Sequence, residues 1–125
     1  MHKSRLGNIV IDCRDGDLRR HAEFWSKALG CPAPEKISPD DRFVQLQTRD
    51  GDVQIILQAV DHPSRVHMDL ETDDIGKEAE RLKEAGADTV ADKGEWVVME
   101  APSGHRFCVG KPFRGGFERN ANRWR

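Results

Sequence analysis

The chain has 125 residues, with 20 Lys and Arg set against 22 Asp and Glu and a formal charge of −2. That length makes one domain's worth of protein, long enough to bury roughly two-thirds of its unfolded surface, and the near-neutral balance gives no footprint for nucleic acid or for a membrane surface. The three cysteines, Cys13, Cys31 and Cys108, have no pairing spacing and the start MHKSRLGN has no apolar h-region, so the expectation is a reduced, cytoplasmic setting rather than a disulfide framework, secretion or membrane insertion.

The first predicted element is a strand over Asn8 to Asp15, where Ile9, Ile11 and Cys13 alternate with Asn8, Val10 and Asp12. It runs into an amphipathic helix opened by Asp17-Leu18, with Leu18, Ala22, Trp25 and Leu29 on one stripe and Gly30 as the stop. Pro32, Pro34 and Pro39 then mark an exposed connection, a common place for substrate selection or plain spacer. Next comes a hairpin, Arg42 to Thr48 and Val53 to Val60 about Asp50-Gly51, which predicts a two-residue type I′ turn. In that register Val44, Leu46, Ile55 and Leu57 share an aliphatic face, while Phe43, Gln45, Gln47, Gln54, Ile56 and Gln58 share a glutamine-rich one suited to a wet concavity.

Residues 61 to 64 read as a linker, and Arg65 to Asp74 repeats the opening pattern of strand into helix cap. Val66, Met68 and Leu70 are expected on the buried face, and His67, Asp69 and Glu71 on a polar one. Asp74-Ile75 opens the second helix, whose stripe is Ile75, Ala79 and Leu82 before Gly86. Three short strands follow, over GADTVADKG, GEWVVMEAPSGH and RFCVG, with Pro102-Ser103-Gly104 as a reversal. The chain thus reads as two related halves, each strand, helix, then two or three strands. The tail KPFRGGFERNANRWR is basic and aromatic; the expectations for it are an arm packed across a partner subunit or a frayed terminus.

Four strings, in this order and spacing, carry a resemblance: DLRRHAEFWSKALG, RVHMDLETDD, RLKEAGA and APSGHRFCVG. Together they resemble the vicinal oxygen chelate superfamily of glyoxalases, bleomycin-resistance proteins and extradiol dioxygenases, within it the glyoxalase-like domain group, over about residues 6 to 112. The resemblance implies an α+β fold of two tandem βαβββ modules, about 6–60 and 65–112, with curled mixed sheets around a concave site and helices on the convex side; residues 113–125 form the tail. It also implies a homodimer.

Catalytic members of that superfamily hold a divalent metal on side chains of the first and last strands of the modules. Carried over, the first-strand positions are Asn8 and His67, the last-strand position of module two, usually Glu, is Cys108, and the counterpart in module one is Gln58 or Ile56. Asn8 is a poor ligand, and hard cations prefer carboxylates to a thiol. No metal is therefore favoured, and the alternative is zinc, iron, manganese or nickel on His67, Gln58 and Cys108. In a variant, His67, Asp69 and Glu71 project together from one strand, with His67 beside a carboxylate as a base; the plainer role puts Glu71 at the rim in solvent and Asp69 on a loop.

Of the remaining residues, His21 is expected on the solvent side of the first helix, His105 in a structural turn, Cys13 in the core and Trp96 on a cavity wall. The expected ligand-binding residues are Asn8, Gln45, Gln47, Gln58, His67, Asp69, Trp96, Arg106 and Cys108. Two functions follow: a small-molecule binder, as in the bleomycin-resistance branch that sequesters its ligand without a metal, or a metal-dependent lyase, isomerase or dioxygenase.

Overall fold

The computed structural model describes residues 1–125 and places them in two units, Asn8–Val66 and a second made of Met1–Gly7 with His67–Arg125. Strand β1 (His2–Cys13) begins in one and ends in the other. It starts six residues before the predicted strand, because Lys3, Arg5 and their neighbours have partners far along the chain.

Within Asn8–Val66, β1 is followed by α1 (Leu18–Leu29), β2 (Phe43–Leu46) and β3 (Gln54–Ala59). Asp17 caps α1 by accepting the Arg19 N–H at 3.0 Å, and Gly30 ends it at φ 70°, a conformation that glycine adopts at little cost. The Arg19 hydrogen bonds lower the Asp17 carboxyl to about 2. β3 pairs with β1 in parallel and with β2 antiparallel. Ile11, Cys13, Leu18, Ala22, Val44, Leu46, Leu57 and Ala59 form the core, with Trp25 and Ile55 packed on it; burial, then the Asp12 charge, raises the Cys13 thiol.

The aliphatic face of the hairpin is therefore as predicted, but its turn is not. Leu46 pairs with Ile55, the Asp52 N–H reaches Arg49 O at 3.0 Å, and Gly51 has positive φ while no residue other than glycine does. A type I′ turn needs positive φ at Asp50 as well. Residues 31–42 carry no strand, since their three prolines remove ladder donors, so this unit has two strands after its helix.

The second unit contains β4 (Arg65–Thr72, from His67 on), α2 (Ile75–Glu84), β5 (Asp88–Asp92), β6 (Trp96–Glu100), β7 (Arg106–Gly110), α3 (Phe117–Asn120) and β8 (Asn122–Trp124). β7 lies between β4, parallel, and β6, antiparallel, and β5 follows with a bulge between Thr89 and Ala91. Ala87, Val97, Met99 and Val109 are buried, with Leu70, Ile75, Ala79, Leu82 and Phe107 packed on them. Met68, expected on the buried face, is 48% exposed. Leu70 packs on that core, whereas Met68, nearer the start of β4, stays uncovered. No helix is long and apolar enough to cross a membrane.

The C-terminal segment packs on its own chain. β8 pairs antiparallel with β1 through His2, Lys3 and Ser4, which corrects the expectation of a frayed end or of an arm laid on a partner. Trp124 Nε1 donates to Ser4 Oγ at 2.7 Å, and the Trp124 ring stacks on the Arg81 guanidinium at 3.8 Å. Arg81 in turn holds the fully buried Glu78 through two bonds of 2.8 Å, and His2 Nε2 reaches the same carboxylate at 2.8 Å.

Burial raises the Glu78 carboxyl, but the bonds from Arg81, Ser4 and His2 and the charge of Arg81 outweigh burial and hold it below the usual carboxylate range. A depressed acid stabilises the fold above its unfolded value of about 4.3, and that stability drains away as pH falls through the lower folded value. Urea melts between about pH 7 and pH 3 should thus show an acid limb that flattens in Glu78→Gln. A limb of unchanged slope in the variant would count against this network.

Candidate functional site

In the second unit, the face of the sheet opposite α2 carries polar residues in register. Asp69 of β4 pairs with Cys108 of β7, which pairs with Val98 of β6. One rung further along are Glu71, Gly110 and Trp96; in the other direction Arg106 pairs with Glu100. His67 is two residues before Asp69 and shares its face.

The ligand atoms of His67, Asp69 and Cys108 lie within 4.8 Å of one another, with His67 Nε2 3.6 Å from Asp69 Oδ1. All three are partly exposed, the side chains of His67 and Asp69 by 16% and 24%. Arg106 and Glu100 face each other at 3.5 Å, both open to solvent, and Trp96 is 46% exposed beside Gly110. All five expected ligand residues on this unit, His67, Asp69, Trp96, Arg106 and Cys108, thus share one face.

Glu71 behaves differently. The sequence suggests a carboxylate at the solvent rim or in a metal set, but the side chain is fully buried. Its Oε2 accepts Arg5 Nε at 3.0 Å and lies 3.4 Å from Arg114 Nε, while Oε1 accepts the Phe113 and Arg114 N–H groups at 3.1 and 3.3 Å. Partners of this kind offset the cost of burying a carboxylate this deep, and they remove Glu71 from the donor set. Sequence reasoning missed Arg5, Phe113 and Arg114. No sequence signal pointed to them; in the fold, the space a side chain at Gly7 would take holds Glu71 Cγ and the Phe113 ring.

The unit Asn8–Val66 repeats the register with other chemistry. Asn8 pairs with Gln54, Val10 with Ile56, and Asp12 with Gln58. Matching Asn8 with His67 as first-strand positions sets Val10 against Asp69 and Asp12 against Glu71, so the counterpart of Cys108 is Ile56 and that of Gln58 is Gly110. Between the two candidates left open by the sequence, the ladder selects Ile56, which has no donor. Asp12 is buried like Glu71, with Arg65 Nε at 3.4 Å and His62 Nε2 at 4.0 Å. Asn8 is also buried, and Gln58 is partly exposed opposite Phe43. Gln45 and Gln47 border a surface hollow with residues 32–34, where the Gln47 N–H donates to Pro32 O at 2.8 Å. The structure brings His67 together with Asp69 and Cys108; Gln58 belongs to the other unit.

Two lesser expectations divide. His105 contacts Ser103 Oγ through Nδ1 at 2.6 Å, consistent with a role in its turn. His21, expected on the solvent side, is only partly exposed and its Nε2 is buried without a hydrogen-bond partner.

Residues 8–110 match the family model of the glyoxalase-like domain. The chain belongs to the glyoxalase-like domain family. Solved structures with the same fold include a hypothetical protein from Bacillus halodurans C-125, 13% identical, with a TM-score of 0.62 over 90% of this chain and 97% of that one. A glyoxalase/bleomycin resistance protein/dioxygenase superfamily member from Vibrio splendidus 12B01 is 23% identical, with a TM-score of 0.51 over 85% and 98%. The 2,3-dioxygenase LapB from Pseudomonas sp. KL28 is 19% identical, with a TM-score of 0.55 over 97% of this chain and 46% of that one. No curated protein matches. At these identities the likeness carries the fold, and this glyoxalase-like chain must be read from its own residues.

Divalent metals are common in the superfamily, so the donors need testing against one. Imidazole, thiolate and a single carboxylate suit a borderline ion such as zinc in a three-ligand site; they do not suit manganese or magnesium, which favour oxygen donors. In the unit Asn8–Val66, Val10 and Ile56 stand at the rung where Asp69 and Cys108 stand in the other unit.

Proposed function

We propose that this glyoxalase-like protein binds a small molecule on the polar face of β4, β6 and β7 and lacks the complete catalytic metal site of the family. The observation that carries this reading is the register of β1 on β3, which puts Val10 beside Ile56 at the rung where the second unit has Asp69 beside Cys108. His67, Asp69 and Arg106 supply hydrogen-bonding and charge, and Trp96 supplies a flat wall, the mixture of a few polar groups and an aromatic surface that small-molecule sites use. On this reading the protein sequesters a drug or metabolite and works as a cytoplasmic homodimer. Its modules are 6–60 and 65–112, joined by residues 61–64, and within module one Asn8, Gln45, Gln47 and Gln58 are the expected ligand-binding residues.

A second reading is favoured by the approach of His67, Asp69 and Cys108 to within 4.8 Å. In it these three residues hold a borderline ion, which would supply Lewis-acid chemistry for a lyase, isomerase or dioxygenase.

A panel of polar aromatic and aliphatic metabolites, followed by tryptophan fluorescence, tests the first reading. Ligands that quench should lose most of the signal in Trp96→Ala and weaken about tenfold or more in His67→Ala, the loss of one charge-assisted contact. Quenching untouched by both variants would move the site elsewhere.

A further inference from the structure

Gly7 marks where the C-terminal arm meets the candidate face. Phe113 lies over it, and the two residues that bind Glu71 from the arm, Phe113 and Arg114, come after β7 and the two residues Lys111 and Pro112. Glu71 is the next residue after Asp69 on the polar side of β4, so its carboxylate continues the row begun by His67 and Asp69.

The two oxygens of Glu71 are held differently. The bonds to Oε1 come from arm backbone, at 3.1 and 3.3 Å, whereas Oε2 is shared between Arg5 of β1 at 3.0 Å and Arg114 of the arm at 3.4 Å. Arg5 also donates to the carbonyl oxygens of Arg114 and Gly115 at 3.0 and 2.9 Å, and Arg114 donates to Leu6 O at 2.7 Å. The arm is fastened a second time, independently, where Trp124 meets Ser4 and Arg81.

We propose that the C-terminal arm is a selectivity element: by engaging Glu71 through Phe113 and Arg114, it keeps a second carboxylate out of the His67–Asp69 row and so closes the face to hard divalent cations. The proposal rests on the reading of this face as a binding site without a complete metal set. With the arm seated, the row offers one imidazole and one carboxylate beside a thiol, a poor set for manganese. With the arm contacts gone, Oε1 is released while Arg5 still steadies Oε2. The row then offers His67, Asp69 and Glu71, the nitrogen and carboxylate donors that manganese accepts.

Manganese(II) is the probe, read by the loss of the free-ion electron paramagnetic resonance signal in full-length protein. In Phe113→Pro/Arg114→Pro the prolines remove both N–H groups to Oε1 and the second also removes the guanidinium, while the Trp124 anchor stays. The variant should bind one manganese per chain at least about tenfold more tightly than wild type, and adding Glu71→Gln should abolish the gain. A folded variant with wild-type manganese affinity overturns the proposal, as does a gain that survives Glu71→Gln. If circular dichroism shows the double variant unfolded, Arg114→Pro alone, which removes the guanidinium and one N–H to Oε1, carries the test with the same opposed results. Tight manganese binding by wild type overturns both this proposal and the reading of an incomplete metal site, whereas loss of organic-ligand quenching at Trp96 bears on that reading alone.

Discussion

Glu71→Ala should lower the free energy of unfolding by about 3–5 kcal/mol, the usual cost of breaking a buried ion pair by removing one partner. The side chain is fully buried between Arg5 and Arg114, so the substitution leaves two guanidinium groups and two arm N–H groups without their shared acceptor. Asp69→Ala, on the same strand and face but 24% exposed, should cost no more than about 1 kcal/mol. Urea denaturation of the two variants side by side makes the comparison. Equal and small losses would mean that Glu71 is hydrated and that the arm does not enclose it.

Gly7→Ala is the second large effect. A β-carbon there would sit 2.7 Å from Glu71 Cγ and 2.9 Å from Phe113 Cε2, with Phe113 Cζ closer still. Two of the three contacts belong to the half-exposed Phe113 ring and the third to Cγ of Glu71, whose carboxylate is held by three hydrogen bonds and the Arg114 ion pair, so the Glu71 side has little room to relax. Overpacking of this kind costs about 1–3 kcal/mol. Phe113→Ala should relieve it, so the double variant Gly7→Ala/Phe113→Ala should be more stable than the sum of the single losses by at least about 1 kcal/mol. Additive losses in the cycle would place Phe113 away from Gly7.

The fold was readable where local chemistry and periodicity agree. Asp17 and Asp74 cap the two long helices as their position before an apolar stripe suggests, and the alternation of Val44, Leu46, Ile55 and Leu57 gave the correct buried face of the hairpin. Asp50-Gly51 sits where the register of Leu46 on Ile55 centres the loop, but it misled on the turn type, because the dipeptide permits positive φ at both positions and only Gly51 takes it. On β4, alternation separated the two faces but did not say how far α2 reaches, and Met68 stays exposed.

The candidate site divides the same way. His67, Asp69 and Cys108 were each singled out from strand position, and the parallel pairing of Asp69 with Cys108 gathers them. The fate of Glu71 was not legible, because its partners Arg5 and Arg114 lie 66 and 43 residues away in sequence, and nothing in their local surroundings announces a buried pair. The choice between Gln58 and Ile56 likewise needed the ladder, since a two-residue shift in register keeps the face and exchanges the rungs.

Elemental analysis of dialysed protein purified without a histidine tag, run beside His67→Ala, tests the central claim most directly. The account predicts well below one equivalent of any transition metal per chain, about a tenth or less, with no difference between wild type and variant. Close to one equivalent of zinc, iron, manganese or nickel in wild type, lost in His67→Ala, would contradict it and make the His67–Asp69–Cys108 cluster a metal centre.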